Sequence, residues 1–134
     1  MKNPLKVFTV LFFTLALLSC ESEQVDQSQE SIDNRALLLG TWGLIESSTN
    51  GTVDDNSQNC KLFNTIEFLT TNAFVNVAVG TNCAGVESTY EDYSVNKSVL
   101  RVGSTTVDIV TLTATTLVVD YRTTNAYRET YIKR

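Results

Sequence analysis

From residue 37 onward the sequence predicts an all-β domain, an eight-stranded antiparallel up-and-down barrel. Three observations carry this expectation. No window after Leu37 repeats its apolar residues at helical spacing. The apolar residues alternate instead in short runs rich in threonine, valine, isoleucine and tyrosine, with Asn, Gly, Asp and Thr between them. Most links between the runs are of hairpin length, which makes successive strands antiparallel neighbours. Eight strands joined in this way remove their exposed edges by closing on themselves.

Taken in order, the runs are 40–48, 62–69, 74–79, 88–95, 99–102, 106–112, 117–122 and 127–133. Short links lie at 70–73, 96–98, 113–116 and 123–126, and longer ones at 49–61 and 80–87. Side chains alternate between the two faces of a strand, so each run has an inner set. The expected inner residues are Trp42 and Leu44, then Ile66 and Phe68, then Tyr93 and Val95, then Leu100 and Val102. Leu112, Leu117, Val119, Tyr121 and Tyr131 complete the set. Val107 and Ile109 share a face, but the stretch from Val107 to Val110 fits either side.

The N-terminus reads differently. Lys2 and Lys6 precede twelve residues, 7–18, that are apolar apart from Thr9 and Thr14, the pattern of a secretory signal. As a helix that run spans about 18 Å, against about 30 Å of hydrocarbon, too little for a permanent crossing. It ends in Leu17-Leu18-Ser19-Cys20, which resembles a bacterial lipobox. The resemblance implies removal of residues 1–19, a diacylglycerol on the Cys20 sulfur and an acylated (palmitate-type) amino group. Several chains together make a stable anchor, so the implied partner is a membrane and the implied location the bacterial cell envelope, at the outer membrane, facing the periplasm or the surface. Residues 20–36 then read as the lipidated cysteine and a flexible tether. Glu21, Glu23, Asp26, Glu30 and Asp33 make it acidic, and it holds too little apolar surface to offset its ordering entropy. As a loose coil it separates its ends by about 20 Å. Residues 37–134 form the domain.

After Asp33 ten acids face eight bases, with no basic cluster, so the domain is no nucleic-acid binder. About a hundred residues build one core and not two. With Cys20 assigned to lipid, Cys60 and Cys83 are left for one another, and an exported compartment permits the bond. Closing that loop contributes on the order of 3 kcal/mol; two free buried thiols are the alternative. A metal site is disfavoured, because two cysteines without any histidine do not complete a set of ligands. No cofactor motif is present. No enzyme is expected either: there is no histidine base, and no serine in a nucleophile motif. Asp54-Asp55 and Glu91-Asp92 are adjacent pairs; on a strand, neighbours point to opposite faces, so Glu91 and Asp92 do not converge.

Leu39-Gly40-Thr41-Trp42 resembles the Gly-x-Trp opening of lipocalins. The spacing that follows is similar to the small lipocalin-like domains of bacterial lipoproteins: a Cys, a strand ending in Phe, a second Cys, then Tyr93-Ser94-Val95 and Leu100-Arg101-Val102. The resemblance covers residues 37–134. It implies that an arginine of the last strand, Arg128, covers Trp42, and that the domain binds a small apolar ligand. A second resemblance, of Asn82-Cys83 through Thr89-Tyr90 to META-type domains, implies a different fold. The candidate lining residues are Trp42, Ile66, Phe68, Tyr93, Leu117 and Tyr121, with loops 49–59 and 81–86 as the way in. Eight strands are just wide enough to hold one small ligand or to fill with side chains. A drug-sized ligand needs about 300 Å³; a filled interior leaves instead a module whose loops contact an envelope protein or a glycan.

Overall fold

A computed structural model of the chain describes residues 26–56 and 60–134. The signal segment, Cys20 and residues 57–59 of the first long loop lie outside the described residues. The elements run α1 (Asp26–Leu38), β1 (Gly40–Thr49), β2 (Thr52–Val53), a 3₁₀ turn (Cys60–Phe63), β3 (Thr65–Phe68), β4 (Asn72–Val79) and β5 (Gly85–Asn96). Then follow β6 (Val99–Val102), β7 (Thr105–Leu112), β8 (Thr116–Tyr121) and β9 (Tyr127–Lys133). Neighbours along the sheet are antiparallel, and β9 returns to β1 through pairs such as Trp42 with Lys133 and Leu44 with Tyr131. β1 and β3–β9 therefore close an eight-stranded up-and-down barrel, and the two-residue β2 adds only a short hairpin against the end of β1.

Each expected strand is present; β6 and β9 keep their expected bounds and the others shift by one to three residues at their ends. The largest shifts, three residues each, are at the start of β5, which begins at Gly85, and at the start of β3, where Leu62 and Phe63 belong to the 3₁₀ turn and not to the strand. Asn64 sets the start of β3: its backbone carbonyl accepts from Leu44 N at 3.1 Å, and its side-chain oxygen accepts from Ala78 N at 2.9 Å. The ambiguous stretch of β7 resolves through a bulge between Ile109 and Thr111. Val107 is buried and Ile109 half-buried, while Val110 is the extra residue and points out. A second bulge, between Leu44 and Glu46, resets the alternation of β1, so that Trp42 and Leu44 face in and Ser47 again faces in.

The expected inner residues assemble as one cluster. Trp42, Leu44, Phe68, Tyr93, Leu100, Leu117, Val119 and Tyr131 are buried, with Ile66, Val95, Val102, Leu112 and Tyr121 packed against them. Ala73 and Leu38, which the sequence reading left out, belong to the cluster too.

Two expectations are corrected. Residues 26–36, read as flexible coil, belong to a helix that ends on the barrel. Its last turn drives Leu38, with no exposed surface, against the core, and Gly40 at φ +113° turns the chain from helix into strand. Polar side chains fasten the same turn: Asn34 Nδ2 donates to Lys97 O at 3.0 Å, and an Arg35 guanidinium nitrogen donates to Thr70 O at 2.7 Å. Helix α1 thus covers the barrel end where the β3–β4 and β5–β6 turns lie. Among the described residues no helix is long and apolar enough to cross a membrane.

The second correction concerns the cover of Trp42. Arg128 points outward and binds Asp120, Nε to Oδ1 at 2.6 Å. Strand parity decides this, since the inward residues of β9 are Tyr127, Glu129, Tyr131 and Lys133. Lys133 takes the place instead, its Nζ 5.0 Å from the indole centroid and donating to Leu37 O at 3.0 Å. Trp42 Nε1 donates to Leu38 O at 2.6 Å, so helix, indole and last strand lock together at the covered end.

Candidate functional site

At the opposite end the barrel is not filled. Pairing of β5 with β6 begins at Tyr93 with Val102, so residues 85–92 of β5 run past the end of β6 with only β4 beside them. The last ladder bond there is Gly103 N to Asp92 O at 2.8 Å. Behind this notch lies a cavity of about 230 Å³. Its walls are apolar: Val75, Leu100, Val102, Val107 and Val119, with Ile66, Phe68 and Leu117 from the expected lining set. Tyr121, also expected, and Tyr131 line it as well. Its polar side chains are those of Thr89, Glu91, Ser104 and Thr105, and of these Thr89, Ser104 and Thr105 are exposed, which places the mouth at the β6–β7 turn.

Trp42 and Tyr93, the other two expected lining residues, are not on the cavity wall. Both belong to the covered end. Tyr93 packs edge-on to Phe68 with centroids 5.0 Å apart, donates its hydroxyl to Leu69 O at 2.7 Å, and lies 5.1 Å beneath the Arg35 guanidinium. The described residues of loops 49–59 and 81–86 are also absent from the lining, so the way in runs instead past Thr89 and Ser104. Cys60 and Cys83 are bonded, with Cα atoms 5.3 Å apart, and tie the 3₁₀ turn to the β4–β5 turn beside the mouth. Of the adjacent acids, Glu91 faces the cavity and Asp92 faces solvent, as alternation requires, while Asp54 accepts from Ser47 Oγ at 2.8 Å.

Below the mouth, the cavity wall is backed by a buried carboxyl that the sequence reading passed over. Glu129 is 8% exposed and accepts three phenol hydrogens. Tyr121 and Tyr131 donate to its Oε2 at 2.5 and 2.6 Å, and Tyr127 donates to Oε1 at 2.9 Å. Lys61 Nζ donates to the Tyr127 hydroxyl at 3.1 Å and lies over its ring. Burial is the main cause that pushes the Tyr121 and Tyr131 phenols far above their usual value, with the Glu129 charge acting the same way; the half-buried Tyr127 is raised less steeply by the same cause. The hydrogen bond to Tyr127 raises Lys61. The network fixes two of the side chains that border the cavity and commits their hydroxyl hydrogens to Glu129. A signal for it existed in the sequence: Glu129 lies two residues from Tyr127 and from Tyr131, on the same face of the strand. Among the described residues no group of acids and cysteines is placed to hold a metal ion.

Comparison with known proteins agrees with this geometry. The family model for the lipocalin-like domain matches residues 38–119. A lipocalin-like protein from Bacteroides uniformis ATCC 8492 has a similar fold, with a TM-score of 0.60 at 14% identity, covering 73% of this chain and 99% of its own. An uncharacterized protein from Bacteroides eggerthii DSM 20697 follows, with a TM-score of 0.55 at 12% identity, covering 72% of this chain and 99% of its own. No curated protein matches. The closed barrel and the matched span together set aside the META-type alternative: the chain belongs to the lipocalin-like domain family.

Proposed function

We propose that this chain is a lipid-anchored envelope protein whose barrel holds one small apolar molecule, and that its role is binding and not catalysis. The observation that carries the reading is the cavity. A barrel of this size can fill itself with side chains, and here the Trp42 end is filled while the other end keeps about 230 Å³ open to the mouth. That volume is below the roughly 300 Å³ of a drug-sized site, so the ligand is correspondingly smaller. Aliphatic walls supply its affinity, at about 25 cal/mol for each Å² of apolar surface removed from water. The lipobox-like Leu17-Leu18-Ser19-Cys20 supports the anchor and the bacterial envelope as the location, at the outer membrane on its periplasmic or surface side.

Organic extraction of the purified protein, followed by mass spectrometry, tests the ligand. One small molecule per chain is expected from the native protein and none from Val102→Phe, which places a ring in the cavity. Equal recovery from both proteins would remove the site from the barrel. The anchor is tested apart from this: Cys20→Ala should move the protein from the membrane fraction to the soluble fraction, and unchanged membrane retention would contradict lipidation.

One observation favours a second reading, contact with an envelope protein or a glycan. Phe63, Val86 and Tyr90 are 65%, 62% and 67% exposed, and the first two each follow a bridged cysteine by three residues. Absence of any extractable or titratable small ligand would leave that surface as the functional one.

A further inference from the structure

The binding reading above gains a chemical class from the charge on the cavity wall. Among the described residues Glu91 is the one charged side chain on the lining, and no lysine or arginine borders the cavity. Its carboxyl rests against the β6–β7 turn at Gly103, whose φ is +57° and where any added Cβ would collide with that carboxyl. No described residue gives the Glu91 carboxyl a hydrogen bond or an ion pair. Glu87 lies four residues earlier on the same face of β5, exposed on the approach to the mouth.

The bases of the barrel are engaged elsewhere. Arg122 and Arg128 pair with Asp108 and Asp120 on the outer face. Lys61 and Lys133 lie over Tyr127 and Trp42. Arg101, the base nearest the turn, points outward and donates to Gly103 O at 2.9 Å.

These placements discriminate between head groups. An alkyl chain in the cavity brings its head to the mouth, among the oxygens of Thr89, Glu91, Ser104 and Thr105. A carboxylate head there meets the like charge of Glu91 and no cation on the lining, since Arg101 is held on the outer face by Gly103 O. Turning the molecule round buries its charge among valines and leucines without a partner. An ammonium has three hydrogens to donate and finds acceptors for all of them, one charged. A site walled in low-dielectric side chains also concentrates the field of its one charge on whatever enters.

We infer that the cavity takes a small molecule with an apolar body and a cationic nitrogen head, the head held at the mouth by Glu91 with Thr89, Ser104 and Thr105. The inference rests on the barrel being a ligand site, and the test separates the two. The purified protein and its Glu91→Gln variant are titrated calorimetrically near neutral pH with octylamine, octanol and octanoate, which share one chain and differ in the head. Octylamine is expected to bind about tenfold or more tightly than octanoate, with octanol between them, and Glu91→Gln to bring amine and acid to within about threefold. Octanoate binding as well as octylamine to the unaltered protein would overturn the amine assignment and leave the cavity a ligand site. Binding of none of the three would overturn both. The comparison on the unaltered protein stands whatever the variant's stability.

Discussion

Glu129 concentrates what is distinctive at the scale of single residues. It is an acid buried in the barrel wall, satisfied by three tyrosine hydroxyls and, through Tyr127, by Lys61. A buried acceptor that is fully hydrogen-bonded is tolerated; one stripped of its donors costs on the order of 1–3 kcal/mol for each group left unpaired. The tyrosines give this network a pH dependence with a definite sign. In the unfolded chain their phenols ionise at about 10.0, and in the folded protein burial holds Tyr121 and Tyr131 well above that. The folded state therefore keeps protons that the unfolded state releases. Its stability is complete below pH 10 and declines as pH rises from there toward the folded values. An alkaline titration followed by phenolate absorbance and circular dichroism should show Tyr121 and Tyr131 ionising together with unfolding, and ionisation of every tyrosine with the fold intact would contradict the network. Single residues were unevenly legible in the sequence. Alternation turned all six expected lining residues inward, but it does not say at which end of the barrel they sit: Ile66, Phe68, Leu117 and Tyr121 border the cavity, while Trp42 and Tyr93 belong to the covered end. The same rule, counted along β9, also assigns Lys133 and not Arg128 to the indole and turns Glu129 inward; carrying over a family arginine without counting parity missed both.

At the scale of elements, strands were legible because alternation is a local pattern, and their ends were not, because register and bulges are set by partners. Gly85 to Glu87 extends β5 only because β4 runs alongside, and the bulge in β1 between Leu44 and Glu46 belongs to its pairing with β9, which the run itself does not announce. Helix α1 was illegible for a different reason. It is polar along most of its length, carries no apolar stripe, and is held by Asn34 and Arg35 on the carbonyls of two turns and by Leu38 in the core. Helices of about a dozen residues are marginal in water without tertiary contacts, so this one depends on its last turn. Leu38→Ala should lower the unfolding free energy by on the order of 3 kcal/mol in a urea melt. A loss below about half a kcal/mol, the scale of an ordinary surface change, would mean that the helix does not seal the barrel end.

At the scale of the whole molecule, the closed sheet, the covered end and the open mouth form one arrangement. Lys133, Trp42 and Leu38 close one end, the tyrosines around Glu129 stiffen the wall, and the overhang of β5 beyond β6 leaves the other end open. The closed barrel was legible from eight alternating runs and their short links. The cavity was not, because volume depends on how far each strand extends past its neighbour, which no single run encodes. The Cys60–Cys83 bond braces the loops beside the mouth without lining it. The most direct measurement of the central claim is a crystal structure of the protein purified from cells with its natural load retained. Continuous density for one small molecule between Leu117, Val102 and Tyr131, with its polar end at Glu91, is the predicted result. A cavity collapsed by inward rotation of those side chains, or filled only by ordered water, would contradict it.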